Sequence, residues 1–128
     1  MSLDVRAIRP EDFIRTKADG SLNTEETQAL LERTASEIKN TSIHRVLIDT
    51  RGATANFNPS QLYEIGKIVA NDPELADARV AFLTRRERID KARFMALVSN
   101  NRGAHGEAFV DFEDALDWLL MQGEPQAT

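Results

Sequence analysis

The sequence contains no cysteine, which removes disulfide frameworks, thiolate metal sites and cysteine nucleophiles in one step. It has only two histidines, His44 and His105, and neither has a second His, Cys or carboxylate at metal-ligand spacing. No metal is expected, and no cofactor, because the dinucleotide glycine fingerprint and the phosphate-cradling Gly-Lys-Ser/Thr motif are both missing. Basic residues are outnumbered, 16 Lys and Arg against 21 Asp and Glu, for a formal charge of −5. That balance argues against a general affinity for nucleic acid or anionic lipid, both of which need clustered cations. No apolar run approaches the ~18 residues that span a bilayer. Met1-Ser2-Leu3-Asp4 also lacks the charged and apolar regions of a signal peptide, so a cytoplasmic protein is expected.

What is present is the composition of an ordinary globular chain: 128 residues, 41% hydrophobic and 29% charged. One core suffices at this length. Residues 1–122 are expected to form a single domain, with 123–128 as a disordered C-terminal tail. Apolar stretches at 3–8 and 13–17, broken by Pro10-Glu11-Asp12, predict an antiparallel hairpin. Asn23 with Glu26 forms a capping-box pattern that opens a helix over 24–39. Val46-Leu47-Ile48 ending in Asp49 predicts a strand buried on both faces. Asn58-Pro59 starts a helix that stops near Asn71-Asp72-Pro73. Residues 79–83 predict the next strand, 87–99 a helix, Ala108-Phe109-Val110 the last strand, and Asp111 the cap of a final helix that carries Trp118 as a packing residue.

The expected order is β-β-α-β-α-β-α-β-α: an α/β fold with a single, mostly parallel sheet and an N-terminal antiparallel hairpin. Val46 to Ile48, Val80 to Leu83 and Phe109-Val110 are expected to be parallel neighbours. The turns after Asp49, Leu83 and Val110 then share the carboxyl edge, where open α/β sheets bind ligands.

Three features could carry function. The connection from Asp49 through Arg51 and Gly52 to Asn58-Pro59-Ser60 reads as the longest loop at that edge, and free N–H groups in the first turn at Ser60 would favour an anion. It also reads as a strand end, a cap and a solvated hydroxyl. Arg85, Arg86 and Arg88 crowd a helix start, where cations oppose the helix dipole, so either an anionic ligand or neighbouring acids and solvent must account for them. Helix 87–99 carries Ile89, Phe94, Met95, Leu97 and Val98 around more of its circumference than one core stripe needs. Phe94, Met95, Leu97 and Val98 are therefore candidates for an interaction surface, with Met95 expected to point away from the Phe94, Leu97 and Val98 side; deep burial of the helix is the alternative.

Nearly the whole chain resembles the STAS superfamily, in particular the SpoIIAA-like group of small bacterial proteins, whose fold is related to CRAL-TRIO lipid-binding domains. The resemblance rests on the hairpin, the helix at 24–39, Val46-Leu47-Ile48-Asp49 with Gly52, Arg79-Val80-Ala81-Phe82-Leu83, and above all the closing block from Ala108 to Leu119 with its Ala115, Trp118 and Leu119. In anti-sigma-factor antagonists of that superfamily a serine at the start of the helix after the Asp-Gly loop is reversibly phosphorylated. The resemblance makes Ser60 the corresponding residue, although Asn-Pro-Ser-Gln stands where that group has Asp-Ser-Ser-Gly. It implies a non-enzymatic binding or regulatory module with a protein partner or a homodimer, and no catalytic residues. The residues leave a second reading open, a carrier or sensor of a small apolar or anionic molecule such as a lipid or nucleotide. Its ligand-binding candidates are Asp49, Arg51, Gly52, Asn58, Ser60, Arg85, Arg86 and Arg88.

Overall fold

A computed structural model describes residues 2–9 and 12–121. The tail expected at 123–128 lies outside the described residues. The elements are β1 (Ser2–Ile8), β2 (Phe13–Ser21), α1 (Thr24–Thr41), β3 (Arg45–Thr54), α2 (Pro59–Asn71), α3 (Pro73–Asp77), β4 (Arg79–Leu83), a 3₁₀ turn (Arg86–Arg88), α4 (Ile89–Asn100), β5 (His105–Phe109) and α5 (Phe112–Leu119). The five strands form one sheet in the order β1-β2-β3-β4-β5; β1 is antiparallel to β2 and all other pairs are parallel. The α/β architecture, the hairpin and the parallel β3-β4-β5 neighbours are those the hydrophobic pattern predicts.

Because each strand is added beside its predecessor, crossovers of one hand send every connecting helix to the same face. One core cluster accordingly joins Leu30, Leu31 and Ile38 of α1, Ile65 and Val69 of α2, Leu75 of α3 and Ala96 of α4 to Val46, Ile48, Val80 and Phe82 of the sheet. Among the described residues the opposite face is covered by α5, whose Ala115 and Leu119 pack on Phe13, Leu47, Ala81 and Leu83. The period of two along β3 and β4 thus feeds two cores, and every residue of β4 is buried. Thr16 of β2 and Thr34 of α1 meet inside the first core with hydroxyls 2.8 Å apart. Thr34 donates to the Leu30 carbonyl, so the Thr16 hydroxyl is the donor between the two.

Local signals set several helix starts. Both capping boxes form: Asn23 and Glu26 exchange bonds at α1, and Asn58 and Gln61 do so at α2. Asp111 accepts from the Asp114 N–H at the start of α5. Other boundaries differ from expectation. α3 is an additional short helix, with Asp72 accepting from the N–H groups of Glu74 and Leu75. β5 begins at His105 rather than Ala108, because Gly106 lies close against Phe82 and its backbone is held by Asn100. The largest difference is β3, which continues past Asp49 to Thr54. Its end pairs with Asp19, Gly20 and Ser21 of β2 beyond a register shift that leaves one extra residue in β3 between Asp49 and Gly52, so Arg51 and Gly52 stand in a strand and the true connection to α2 is residues 55–58.

Candidate functional site

The extension of β3 creates the site. Pairing of β3 with β4 ends at Asp49 and Leu83, whereas pairing with β2 runs on to Thr54. Residues 50–54 therefore overhang the sheet with no β4 beside them, at the carboxyl edge. Their carbonyls need donors, since unpaired backbone groups are costly wherever water is partly excluded. The arginines after β4 supply them. Arg88 donates from Nη1 to the Ala53 oxygen at 2.8 Å and from Nη2 to the Thr50 oxygen at 2.9 Å, and Arg85 donates from Nε to the Arg51 oxygen at 2.8 Å. The basic turn at a helix start, which a helix dipole disfavours, is thus held by strand carbonyls. Burial, and then the charge of Arg85, lower the basicity of Arg88, with Glu87 opposing.

Behind this clamp lies a cleft of about 110 Å³ between the overhang and α1, α2 and α4. Leu30, Leu31, Leu62, Ile65, Phe82 and Met95 are among the apolar residues of its wall, and Phe57 from the 55–58 connection adds an aromatic side. Polar groups are few: the hydroxyls of Thr27, Thr50 and Thr84, and the cations Arg88 and Lys91. Lys91 is exposed, and its one hydrogen bond is a long contact of 3.4 Å to the Asn56 side chain. The cleft can therefore hold an apolar group and offer a cation to an anionic end, an arrangement common to small-molecule sites.

The residues singled out from the sequence fall into separate places. Arg88 lines the cleft. Asn58 and Ser60 are exposed at the first turn of α2, and Arg85 and Arg86 are exposed on the basic turn. Asp49 and Arg51 belong elsewhere: Asp49 sits in register with Leu83 and Lys17, on the face that α5 covers. There Arg51 holds the buried Asp49 carboxylate through its backbone N–H at 3.0 Å, its Nε at 3.1 Å and its Nη2 at 3.0 Å. Burial pushes the Asp49 carboxyl upward, but the hydrogen bonds from Arg51 and the charges of Arg51 and Arg15 outweigh it, so Asp49 titrates below its ordinary range. The same pairing raises the basicity of Arg51. Gly52 is exposed on the overhang, where an added Cβ would collide with the Asp19 carboxylate.

The expected surface on α4 is corrected in detail. Leu97 is 56% and Phe94 37% exposed, whereas Val98 is buried against Gly66 of α2. Met95, expected to point outward, packs against the core and lines the cleft. The buried face of α4 is made of Ala96, Val98 and Ser99, small residues that let α2 and α4 approach closely.

No protein-family model matches the sequence, and no curated protein matches it. Among solved structures, the chain is similar to an uncharacterized protein of the DUF3478 family from Shewanella loihica PV-4, described as having a SpoIIAA-like fold. The two share 21% identity over 92% of each chain, with a TM-score of 0.55. This chain has a SpoIIAA-like fold. At that identity the likeness carries the architecture and no activity. Among the described residues no helix is long and apolar enough to cross a membrane, and no group of three or more His, Cys, Asp or Glu could hold a metal ion.

Proposed function

We propose that this SpoIIAA-like chain is a non-enzymatic binding module that carries or senses a small amphipathic anion. The apolar part of the ligand occupies the cleft and its anionic end meets Lys91 beside Arg88. The observation that supports this reading is the composition of the cleft, an almost wholly apolar wall with its cations on the α4 side. Its size narrows the ligand: at about 110 Å³ it is smaller than the ~150 Å³ void that admits benzene in an engineered core, so it takes a short chain or the end of a longer one. The test is calorimetric titration with hexanoate, hexanol and acetate. Hexanoate should bind best, hexanol more weakly and acetate not at all, and Lys91→Ala should abolish the preference of hexanoate over hexanol. Absence of binding by both six-carbon probes would overturn the reading.

A second, regulatory reading is favoured by the exposure of Ser60 in the first turn of α2. A phosphate there would add negative charge at a helix N-terminus, where it is electrostatically favoured. Mass spectrometry of the protein isolated from its native cells checks it; an unmodified Ser60 under all growth conditions counts against it.

A further inference from the structure

The two edges of the sheet are built differently. At β5 the backbone N–H and C=O of Gly106 are both occupied by the Asn100 side chain, at 2.8 and 2.9 Å, which takes up the centre of that edge as an added strand would. A two-fold pairing centred on the neighbouring Glu107 would also set two like charges face to face. At β1, the other edge, the outer side of a seven-residue strand is unpaired among the described residues.

Charges on an edge strand usually discourage pairing with another chain. In β1 they are placed symmetrically about Val5, with Asp4 on one side and Arg6 on the other. Antiparallel pairing of two copies about a two-fold axis at Val5 sets Asp4 of each against Arg6 of the other, and Leu3 of each against Ala7. The geometry within one chain points the same way. Arg6 sits directly across from Arg15 of β2, an unfavourable like-charge pair, while Asp4 sits across from Lys17. Among the described residues Arg6 answers this through its own neighbour Asp4, at 2.7 Å, and the two side chains remain 63% and 44% exposed. A partner's Asp4 on the free side of Arg6 would offset Arg15 and close a ring of four alternating charges. On the other face of the strand, Leu3, Val5 and Ala7 are only half-buried against the core, and the same pairing would cover them.

We infer that β1 is a self-recognition edge, through which a second copy of this chain joins by antiparallel strand pairing into one continuous sheet. The helices that connect the strands would lie on the same side of that sheet in both copies, because the two-fold axis is perpendicular to it. Nothing in the cleft takes part, so the inference stands apart from the binding reading.

Sedimentation velocity on the full chain from micromolar to millimolar concentration is the test, with two charge variants. Asp4→Arg leaves Arg at both 4 and 6, and Arg6→Asp leaves Asp at both. Each alone should self-associate about tenfold or more weakly than the unaltered chain, because both cross-copy pairs become repulsive. An equimolar mixture should recover the dimer, because every cross-copy pair is then opposite in sign while the contact inside each chain stays broken. That recovery separates a contact between copies from a merely structural pair. An unaltered chain that stays monomeric to millimolar concentration, or a mixture that fails to associate, overturns the inference. If Asp4→Arg does not fold, hydrogen exchange of the unaltered protein decides: β1 amide protection that rises with concentration supports the edge, and protection that does not change refutes it.

Discussion

Gly66→Ala sets two well-understood effects against each other, and the structure decides the sign. In an isolated helix, alanine is favoured over glycine by about 0.8–1.0 kcal/mol. Gly66, however, is buried where α2 crosses α4, and a Cβ built there would lie 2.9 Å from the Met95 carbonyl oxygen and 2.9 Å from both Cβ and Cγ1 of Val98. Carbon atoms pack best at ~3.5–4.0 Å, so the helices would have to separate by roughly 0.6–1 Å. Little can give way locally: one obstacle is backbone, and Val98 is a stiff β-branched side chain buried on the α4 face. Overpacking costs ~1–3 kcal/mol, and with the Met95 carbonyl oxygen and Val98 Cβ and Cγ1 all at 2.9 Å the upper part of that range, roughly 2–3 kcal/mol, applies. A net loss of about 1–2 kcal/mol is therefore expected after the propensity gain is subtracted. For a domain of this size that lowers Tm by roughly 4–7 °C. Urea denaturation should show a lower midpoint with an unchanged slope, since the surface exposed on unfolding is the same. A Gly66→Ala protein as stable as the parent, or more so, would refute the close crossing of α2 and α4.

Arg88→Ala removes two charge-assisted bonds to the overhang carbonyls and should cost about 2–4 kcal/mol in urea denaturation, while Arg86→Ala, exposed on the same turn, should stay within ~0.5 kcal/mol. Thr34→Val strands the buried Thr16 hydroxyl and should cost about 1–3 kcal/mol, whereas Thr16→Val leaves Thr34 its bond to Leu30 and should cost less; thermal melts that rank them the other way would contradict the direction of that hydrogen bond. Asp49 has a lowered folded-state pKa, so its contribution is fully present above the ordinary carboxylate value of about 3.9 and is lost as pH falls through the folded value. Stability measured from pH 5 downward should therefore fall less steeply in Asp49→Asn than in the parent, and equal slopes would mean that Asp49 does not contribute to the acid loss.

Elements set by neighbours in sequence were legible; those set by distant partners were not. Asn23 with Glu26 and Asn58 with Gln61 announce their helices because both halves of each capping box lie within three residues. The run Val46-Leu47-Ile48 announces a strand buried on both faces because each face has its own core. α4 misled for a physical reason. Spacing arithmetic assumes that the largest apolar residues face inward, but α4 lies against Gly66 and can bury only Ala96, Val98 and Ser99 at the close approach. Its excess of large residues is then divided between solvent, for Phe94 and Leu97, and the cleft, for Met95.

The site was hidden for a related reason. Thr50-Arg51-Gly52-Ala53-Thr54 has the polarity and the glycine of a loop, and nothing within it shows that β2 continues alongside. Strand pairing is a property of two segments, and here the two stay paired only across a register shift in which β3 takes up one extra residue between Asp49 and Gly52. The basic turn posed the complementary problem. Arg85 and Arg88 look like unmet charges when only their own helix is considered, because the carbonyls they satisfy lie 34 to 38 residues away in the chain. Once β3 is seen to outrun β4, both puzzles have one cause: carbonyls without a strand partner need donors, the nearest donors are the arginines that follow β4, and the space between the overhang and the three helices that flank it is the cleft. A chain in which β4 extended as far as β3 would meet those carbonyls with its own backbone donors and would not need the arginines, whereas Gly52 would still be required beside Asp19 of β2.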